Sequence, residues 1–374
     1  MSFHITFLGS SGGPLEGTTC SILIKPAHIS YSEIITSRIR DQLLCIDAGA
    51  GLSLLTEIIH NELTHAKPYS KLTHMYYSDS FYSLDSYSKA PFVTPFANLH
   101  GVSSAPLEIA QLISHSMKSF LISHAHLDHV AALVINSSSY NRENPRNVFG
   151  SGCTISALQK YIFNGIIWPN LPKFSLINLL PRQYNQQFAI NNDNYTVTMF
   201  ELSHGKILSG DPKNCDEFYQ SSAFLITYSL TSTSILVFGD FESDVVSKLN
   251  NNYRIWFDIA PLIISGNLST IILECANHSC SSESELYGHL RPDHLIYEMK
   301  QLNMLCLKWP NCPEVPLKDF HIIVNHVKEP ILEHGEVEIL DPRRSIIEEL
   351  DRMNEIEGLG IKFSIALSGV SYVV

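Results

Sequence analysis

The segment Ser123–His129 concentrates side chains that bind metal ions in proteins. Its sequence, SHAHLDH, places His124, His126, Asp128 and His129 close together in the chain. Neutral imidazole and carboxylate groups are common ligands of zinc and of related metal ions. Ionisable groups beside a buried strand need partners or a function. The segment therefore predicts a metal site rather than a polar loop that happens to contain histidine.

Apolar runs on both sides place this segment where a buried strand turns into a helix. His124 and His126 are two residues apart, so their side chains point the same way in an extended segment. Asp128 and His129 follow the turn and point elsewhere. We expect two metal ions, the first held by His124 and His126 and the second by Asp128 and His129.

Later strands end next to further ionisable side chains. The strands predicted at 195–202, 234–238, 270–273 and 321–324 are followed, in that order, by His204, Asp240, Glu274 and His326. In layered α/β folds, functional sites gather at one end of the strands. We expect these side chains to join the histidine segment at one edge of the fold.

Together these residues form a candidate ligand set for two metal ions. Its members are His124, His126, Asp128, His129, His204, Asp240 and His326. Asp240 is the predicted bridge, because the two oxygens of a carboxylate can span ions roughly 3.5–4 Å apart. A hydroxide completes the predicted bridge, since metal binding lowers the pKa of water to about 7. This arrangement suits attack on a phosphodiester, in which negative charge grows on the phosphoryl and leaving oxygens.

Three further residues are predicted to support the reaction. Asp47 follows a predicted strand and could orient a ligand imidazole, although a simple turn aspartate before glycine fits equally well. His289 precedes a predicted helix start and could bind phosphate or protonate a leaving group. Glu274 could polarise His289. We predict Asp128 and His289 as the catalytic residues, with Asp47 and Glu274 behind the ligands.

Composition limits the partners and the compartment. The chain has 374 residues, of which 45% are hydrophobic, and a net charge of -12 at pH 7. This negative charge argues against a nucleic acid polymer as partner. The cysteines form no C-x-x-C pair, and we expect buried, reduced thiols. A basic leader and a long apolar run are missing, so we expect a cytoplasmic protein without a membrane partner.

The remaining chain predicts one catalytic domain over residues 1–374 with two insertions. The insertions are placed near 67–104, as a lid or a partner-facing loop, and near 164–187, as a pocket wall. Residues 139–152 are predicted as a loop. The predicted helices cover 52–64, 106–117, 154–163, 292–302 and 343–354, the last one capped by Asp341.

Three stretches of sequence carry a resemblance to a known family. They are HAHLDHVAALVINSS from His124, ITFLGSSGGPLEGTTCSILIK from Ile5 and GHLRPDHL from Gly288. The chain resembles the class II cyclic-nucleotide phosphodiesterases, of the fungal low-affinity cyclic AMP type, within the metallo-β-lactamase superfamily. The resemblance extends from about Phe3 to Lys328.

This resemblance implies an α/β fold, namely an αββα four-layer sandwich, with two divalent metal ions, usually zinc. It also implies hydrolysis of 3′,5′-cyclic nucleotides, cyclic AMP and also cyclic GMP, to nucleoside 5′-monophosphates, which ends cyclic-nucleotide signalling. By this resemblance the first metal has the ligands His124, His126 and His204, the second has Asp128, His129 and His326, and both share Asp240. The resemblance also places Asp47 as an orienting aspartate and His289 as a phosphate contact.

Other functions of the same fold stay open at this point. A tRNA 3′-processing endonuclease would need a basic surface, which the net charge of -12 disfavours. A thioesterase or lactamase-like hydrolase would not need the GHLRPDHL stretch. A non-catalytic metal-site binding protein would not need the full ligand set. The sequence leaves a homodimer open.

Overall fold

The structure of the chain is a computed structural model that describes residues 2–64, 75–76, 84–103, 105–207, 218–278, 286–331 and 340–374. The first strands are β1 (Phe3–Gly9), β2 (Ser21–Pro26), β3 (Leu44–Ile46), β4 (Phe92–Val93), β5 (Ser119–Leu121), β6 (Arg146–Ser151) and β7 (Ile177–Arg182). The later strands are β8 (Gln187–Ile190), β9 (Tyr195–Lys206), β10 (Phe218–Tyr228), β11 (Thr233–Phe238), β12 (Leu268–Glu274), β13 (His321–Asn325), β14 (Lys362–Ile365) and β15 (Ser371–Val373).

The α-helices lie between these strands. In chain order they are α1 (Tyr31–Thr36), α2 (Leu52–Thr64), α3 (Pro106–Ser116), α4 (Leu127–Ile135), α5 (Gly152–Ala157), α6 (Asp244–Ser247), α7 (Asn251–Ile264), α8 (Pro292–Cys306) and α9 (Pro342–Glu357). The last helix begins as predicted, because the Asp341 side chain accepts a hydrogen bond from the backbone N–H of Arg343 at 3.0 Å. Among the described residues, every helix is too short or too polar to span a bilayer.

The described strands form two sheets. The first sheet has the order β4-β15-β1-β2-β3-β5-β6-β7, and the second has the order β14-β13-β12-β11-β10-β9-β8. Strands β3, β5, β6 and β7 run parallel, as do β11 to β14. Parallel strands are normally covered on both faces, and this chain follows that rule.

Alternating side chains bury both faces of the first sheet. On β2, Ile22 and Ile24 pack against the second sheet, whereas Leu23 packs into a second core with Leu54 and Ile58 of α2. Helices α3 and α4 contribute to that same outer core, and helices α7, α8 and α9 cover the second sheet. The layers are therefore helix, sheet, sheet and helix, which confirms the predicted αββα sandwich.

The predicted loop 139–152 and the predicted insertion 164–187 both contain strands. Residues 139–152 include β6, whose first residue, Arg146, is buried because its guanidinium donates to the carbonyls of Ser114 and His115. Residues 164–187 include β7, which carries Pro181. Strand β7 is the edge of its sheet, where the missing N–H of a proline costs no ladder hydrogen bond.

The structure describes only part of the predicted insertion 67–104, whereas it describes six of the cysteines. Much of segment 67–104 lies outside the described residues, and its function as a lid stays a prediction, as does the organisation into one domain. Of the described cysteines, all are free thiols; Cys20, Cys45, Cys275 and Cys306 are buried. Cys153, in the first turn of α5, is exposed, so the expectation of burial is wrong there.

Candidate metal centre

The segment Ser123–His129 forms the predicted junction between a strand and a helix. Strand β5 ends two residues before Ser123, and α4 begins at Leu127 with His126 at its N-cap position. His124 and His129 are buried, whereas Asp128 keeps 30% of its side chain exposed. The turn therefore directs these side chains into one site between the two sheets.

The first group of candidate ligands consists of His124, His126 and His204. One ring nitrogen from each lies within 4.8 Å of the others. Nε2 of His124 lies 3.0 Å from Nδ1 of His126, and the rings of His126 and His204 are 5.1 Å apart. Burial is the main cause that lowers the pKa of His124 and of His126, and it lowers the pKa of His204 to about 3. Neutral imidazoles are the form that binds a metal ion.

His204 lies on strand β9 rather than after it. The predicted strand ended at Leu202, but β9 continues to Lys206 through a bulge opposite residues 218–220. Gly205 occupies this bulge with φ +72°, a conformation that favours glycine. A bulge turns a side chain out of the regular alternation, and here it directs His204 toward the other histidines.

A backbone carbonyl fixes the orientation of His204. Its Nδ1–H donates to the carbonyl oxygen of Gly288 at 2.9 Å, which leaves Nε2 with a lone pair for a metal ion. A Cβ on Gly288 would lie 2.5 Å from the carbonyl carbon of His204, so only glycine allows this approach. The GHLRPDHL stretch thereby positions the candidate ligand His204 and also contains His289.

The second group consists of Asp128, His129, Asp240 and His326, whose ligand atoms also lie within 4.8 Å of one another. Nε2 of His326 lies 3.2 Å from Nε2 of His129 and 3.2 Å from Oδ2 of Asp128. His326 adopts φ +56° directly after β13. Imidazole nitrogens and carboxylate oxygens thus converge in a donor set that a divalent cation fits.

Asp240 lies between the two groups. It is buried directly after Gly239, and its Oδ2 is 3.1 Å from Nε2 of His326 and 3.3 Å from Nε2 of His129. The same oxygen is 3.8 Å from Nε2 of His124 and 3.8 Å from Nε2 of His204. Both groups therefore share this one carboxylate as a neighbour.

The buried carboxylate of Asp240 favours positive charge on the neighbouring groups. Burial disfavours the charged forms, yet the Asp240 carboxylate raises the pKa of His326 to about 9 and raises the pKa of His129 well above its usual value. Burial also opposes ionisation of Asp240 itself, but His326 and His129 hold its pKa well below the usual value. A divalent cation would supply this positive charge without protonation of the imidazoles.

Asp47 makes hydrogen bonds to His129 and to the backbone beside His124. Its Oδ2 accepts a hydrogen bond from Nδ1–H of His129 at 2.8 Å, which directs Nε2 of that ring toward His326. Its Oδ1 accepts from the backbone N–H of Ser123 at 2.8 Å. These contacts distinguish Asp47 from a simple turn aspartate.

His289 and Glu274 form a buried pair at the edge of the site. Nδ1–H of His289 donates to Oε1 of Glu274 at 2.9 Å, and the same nitrogen lies 3.9 Å from Oδ2 of Asp240. The His289 ring stacks on His326 at 5.2 Å and meets His204 edge-on at 4.7 Å. Glu274 is the last residue of β12, so the structure brings all predicted site residues together.

Two neighbours of the site were not predicted. The ring of Tyr219 stacks on His126 at 4.4 Å with an angle of 18° between the planes. Cys20 lies with its sulfur within 4.8 Å of ligand nitrogens of His129 and His326. The alternation of residues 218–228 could have indicated the strand that carries Tyr219. No feature of the sequence distinguished Cys20 from the other buried cysteines.

Two cavities open beside the candidate ligands. One has a volume of about 490 Å³ and is lined by Ala125, Tyr219 and Gln220, among others. The other has a volume of about 440 Å³ and is lined by His126, His204, Lys206, Tyr219 and Tyr287, among others. Both volumes suit a small molecule rather than a polymer.

Known structures define the class of this fold and site. The structure matches the crystal structure of unliganded yeast PDE1 with a TM-score of 0.83 and 26% identity, covering 100% of this chain and 99% of the other. It also matches the metallo-β-lactamase fold protein YhfI from Bacillus subtilis with a TM-score of 0.52 and 13% identity, covering 100% and 99% of the two chains. The fold is that of the metallo-β-lactamases, and the His and Asp clusters can hold divalent metal ions.

Sequence comparison then identifies the family within this class. The model of the class-II cAMP phosphodiesterases matches residues 33–369. The 3′,5′-cyclic-nucleotide phosphodiesterase of Candida albicans is 43% identical over 100% of this chain and 100% of its own length. The chain belongs to the class-II cAMP phosphodiesterase family, which confirms the resemblance described above.

Proposed function

We propose that this protein hydrolyses 3′,5′-cyclic nucleotides, cyclic AMP and also cyclic GMP, to nucleoside 5′-monophosphates and so ends cyclic-nucleotide signals. The observation that carries the proposal is the convergence of the two ligand groups on Asp240 in a member of this family. The small cavities beside these groups fit a mononucleotide and support a small-molecule substrate.

The proposal includes two divalent metal ions, which we assign as zinc from the donor set. His124, His126 and His204 would hold one ion, Asp128, His129 and His326 the other, and Asp240 both. Mixed imidazole and carboxylate ligands suit zinc better than magnesium or calcium, which prefer oxygen alone. When bound, the ions supply an activated water and positive charge for the phosphoryl oxygens.

In this proposal, Asp128 and His289 bind or transfer the protons of the reaction. Asp128 is partly exposed and can accept a hydrogen bond from the attacking water at its carboxylate. Opening of the cyclic phosphate breaks the bond to the 3′ oxygen, which must gain a proton as it leaves. His289 would donate this proton from Nε2, because Nδ1 is held by Glu274, whose carboxylate stabilises the charged ring.

We further propose that the protein acts in the cytoplasm without a nucleic acid or membrane partner. The free thiols of the described cysteines suit a reducing compartment. The net charge of -12 disfavours binding to polyanions and to anionic lipid surfaces. A homodimer is compatible with this proposal.

The decisive experiment incubates the purified protein with cyclic AMP and with cyclic GMP and identifies the products by chromatography. We expect the 5′-monophosphates, loss of turnover after chelation, and recovery after addition of zinc. Parallel assays use a tRNA precursor, a thioester and a generic phosphodiester. Binding of cyclic AMP without turnover would favour a binding protein, and cleavage of only the tRNA precursor would favour the nuclease.

A further inference from the structure

The cavity of about 490 Å³ lies directly beside the first group of candidate ligands. Ala125, which lies between His124 and His126 in the chain, forms part of its wall. Tyr219 and Ile207 line both this cavity and the one that contains His126 and His204, so the two cavities adjoin. A nucleotide with its phosphate at the ligands can therefore reach into the larger cavity.

A hydrogen-bonded pair of polar side chains faces this otherwise largely apolar cavity. Nε2 of Gln220 donates to Oε1 of Glu201 at 2.6 Å, and both side chains are half-buried. Glu201 lies opposite Ser222 on the neighbouring strand, so Gln220, two residues earlier, is its diagonal neighbour on the same sheet face. Ile207, Phe218 and Leu249 supply apolar wall nearby.

The Glu201 carboxylate fixes which way the Gln220 amide points. An ionised carboxylate only accepts hydrogen bonds, so the amide must turn its NH₂ group toward Glu201. One N–H is used in this contact, and the other lies beside the carbonyl oxygen of the same amide. Gln220 therefore presents a donor and an acceptor in a fixed order to any ligand in the cavity.

A fixed amide distinguishes the two purine bases. Adenine presents an exocyclic N–H donor at C6 beside the acceptor N1, and an amide pairs with such an edge through two hydrogen bonds. Guanine carries an acceptor at C6 and a donor at N1, which is the opposite order. A guanine in the same position would require the amide to flip and place its oxygen against the Glu201 carboxylate, which is repulsive.

We propose that this cavity binds the base of the cyclic nucleotide, that Gln220 reads the base, and that Glu201 orients Gln220 to favour adenine over guanine. The inference rests on the proposed function and adds the basis of its base preference. The smaller cavity, lined by His126, His204 and Lys206, then takes the phosphate and ribose, because the Lys206 ammonium attracts an anion.

The test compares kcat/KM for cyclic AMP and cyclic GMP in the metal-loaded protein and in variants. We expect the unchanged protein to prefer cyclic AMP by about tenfold or more, which is typical of one bidentate base contact. Glu201→Gln should lower this ratio about tenfold through the KM values, because a neutral partner accepts both amide orientations. Gln220→Leu should raise KM for cyclic AMP and bring the ratio close to one.

Two further variants separate this proposal from its rivals. Gln111→Leu makes the same substitution at an exposed site on α3 and should leave the ratio unchanged. Tyr287→Ala tests the smaller cavity, where the exposed ring of Tyr287 offers a stacking surface, and should also leave the ratio unchanged. Affinities for AMP and GMP, measured by calorimetry, should follow the same order as the KM values.

The proposal is overturned if the unchanged protein shows no preference for cyclic AMP. It is equally overturned if Glu201→Gln and Gln220→Leu keep the ratio, or if Tyr287→Ala is the variant that changes it. Circular dichroism and metal content confirm that each variant is folded and loaded. A protein that hydrolyses no cyclic nucleotide would instead refute the proposed function, and the two failures are therefore distinguishable.

Discussion

Nδ1–H of His124 donates a hydrogen bond to the hydroxyl oxygen of Ser123 at 3.0 Å. The Ser123 hydroxyl in turn donates to Oδ2 of Asp47 at 2.8 Å, the oxygen that also accepts from His129. One carboxylate therefore orients a candidate ligand of each group, His129 directly and His124 through a serine. Such outer contacts hold ligand rings in one tautomer and one direction.

Replacement of Asp47 by asparagine should weaken metal binding at both groups. The amide cannot accept from His129 and from Ser123 with the same strength, so both rings lose part of their orientation. We expect metal affinity or activity to fall roughly 10- to 100-fold. Metal retained per chain against a competing chelator measures this, and Asp193→Asn, at an exposed turn, is the control. Unchanged retention would show that Asp47 does not position the ligands.

Replacement of Asp240 should abolish turnover and reduce bound metal. Asp240→Ala removes the one carboxylate that neighbours both ligand groups. Asp240→Asn keeps the volume and removes the charge, which separates loss of the ligand from loss of packing. His124→Ala should also stop turnover, with loss of metal from the first group. Metal analysis alongside activity measures these effects, and normal activity of the Asp240 variants would contradict the bridging role.

Replacement of His289 should slow catalysis and leave the metal ions in place. The ring contacts Glu274 and the candidate ligands but belongs to neither proposed ligand set. Loss of a general acid typically lowers the rate roughly 10²- to 10⁴-fold. We expect His289→Ala to lower kcat with unchanged metal content. A substrate with a better leaving group should lose much less activity, and a uniform loss would argue against proton donation.

A buried carboxyl group on α2 should make the stability of the fold depend on pH. Glu62 is buried and accepts a hydrogen bond from the backbone N–H of Phe96 at 2.6 Å. Burial raises the pKa of Glu62 from 4.5 to about 8. The folded state therefore binds this proton more tightly than the unfolded state does. Proton binding by Glu62 stabilises the fold fully below pH 4.5, and this stabilisation is lost as the pH rises through about 8.

Glu62→Gln should remove this dependence, because glutamine keeps the acceptor and carries no charge. We expect the variant and the parent to be similarly stable below pH 4.5 and the variant to be more stable above pH 8, by up to about 5 kcal/mol. Urea unfolding at several pH values measures the difference. Glu57→Gln, at an exposed position of the same helix, is the control. A constant difference at all pH values would refute the explanation.

The convergence of the candidate ligands could be predicted where they are close in sequence or follow regular strands. His124, His126, Asp128 and His129 lie in one short segment, so their proximity required no knowledge of the fold. Asp240, Glu274 and His326 lie at the ends of parallel strands, and parallel strands of one sheet end at the same edge. Strand pattern alone therefore predicted their convergence.

Prediction failed where tertiary contacts override local pattern. Arg146 begins a buried strand within the predicted loop 139–152, because carbonyl groups of Ser114 and His115 accept its N–H groups. His204 lies on a strand that continues past Leu202, because a bulge at Gly205 breaks the alternation. The Glu201–Gln220 hydrogen bond was not predicted, because Gln220 lies on β10, a strand that we did not predict from the sequence.

The candidate ligands come from both sheets, and this origin determines when during folding they can converge. The short histidine segment can capture an ion before the chain has folded fully, since its donors need only one turn of backbone. His326 approaches His129 across 197 residues of chain, and only after the two sheets have packed together. Contacts so distant in sequence form late. Binding of the full complement of metal ions should therefore accompany the last step of folding, and metal content would measure whether folding is complete.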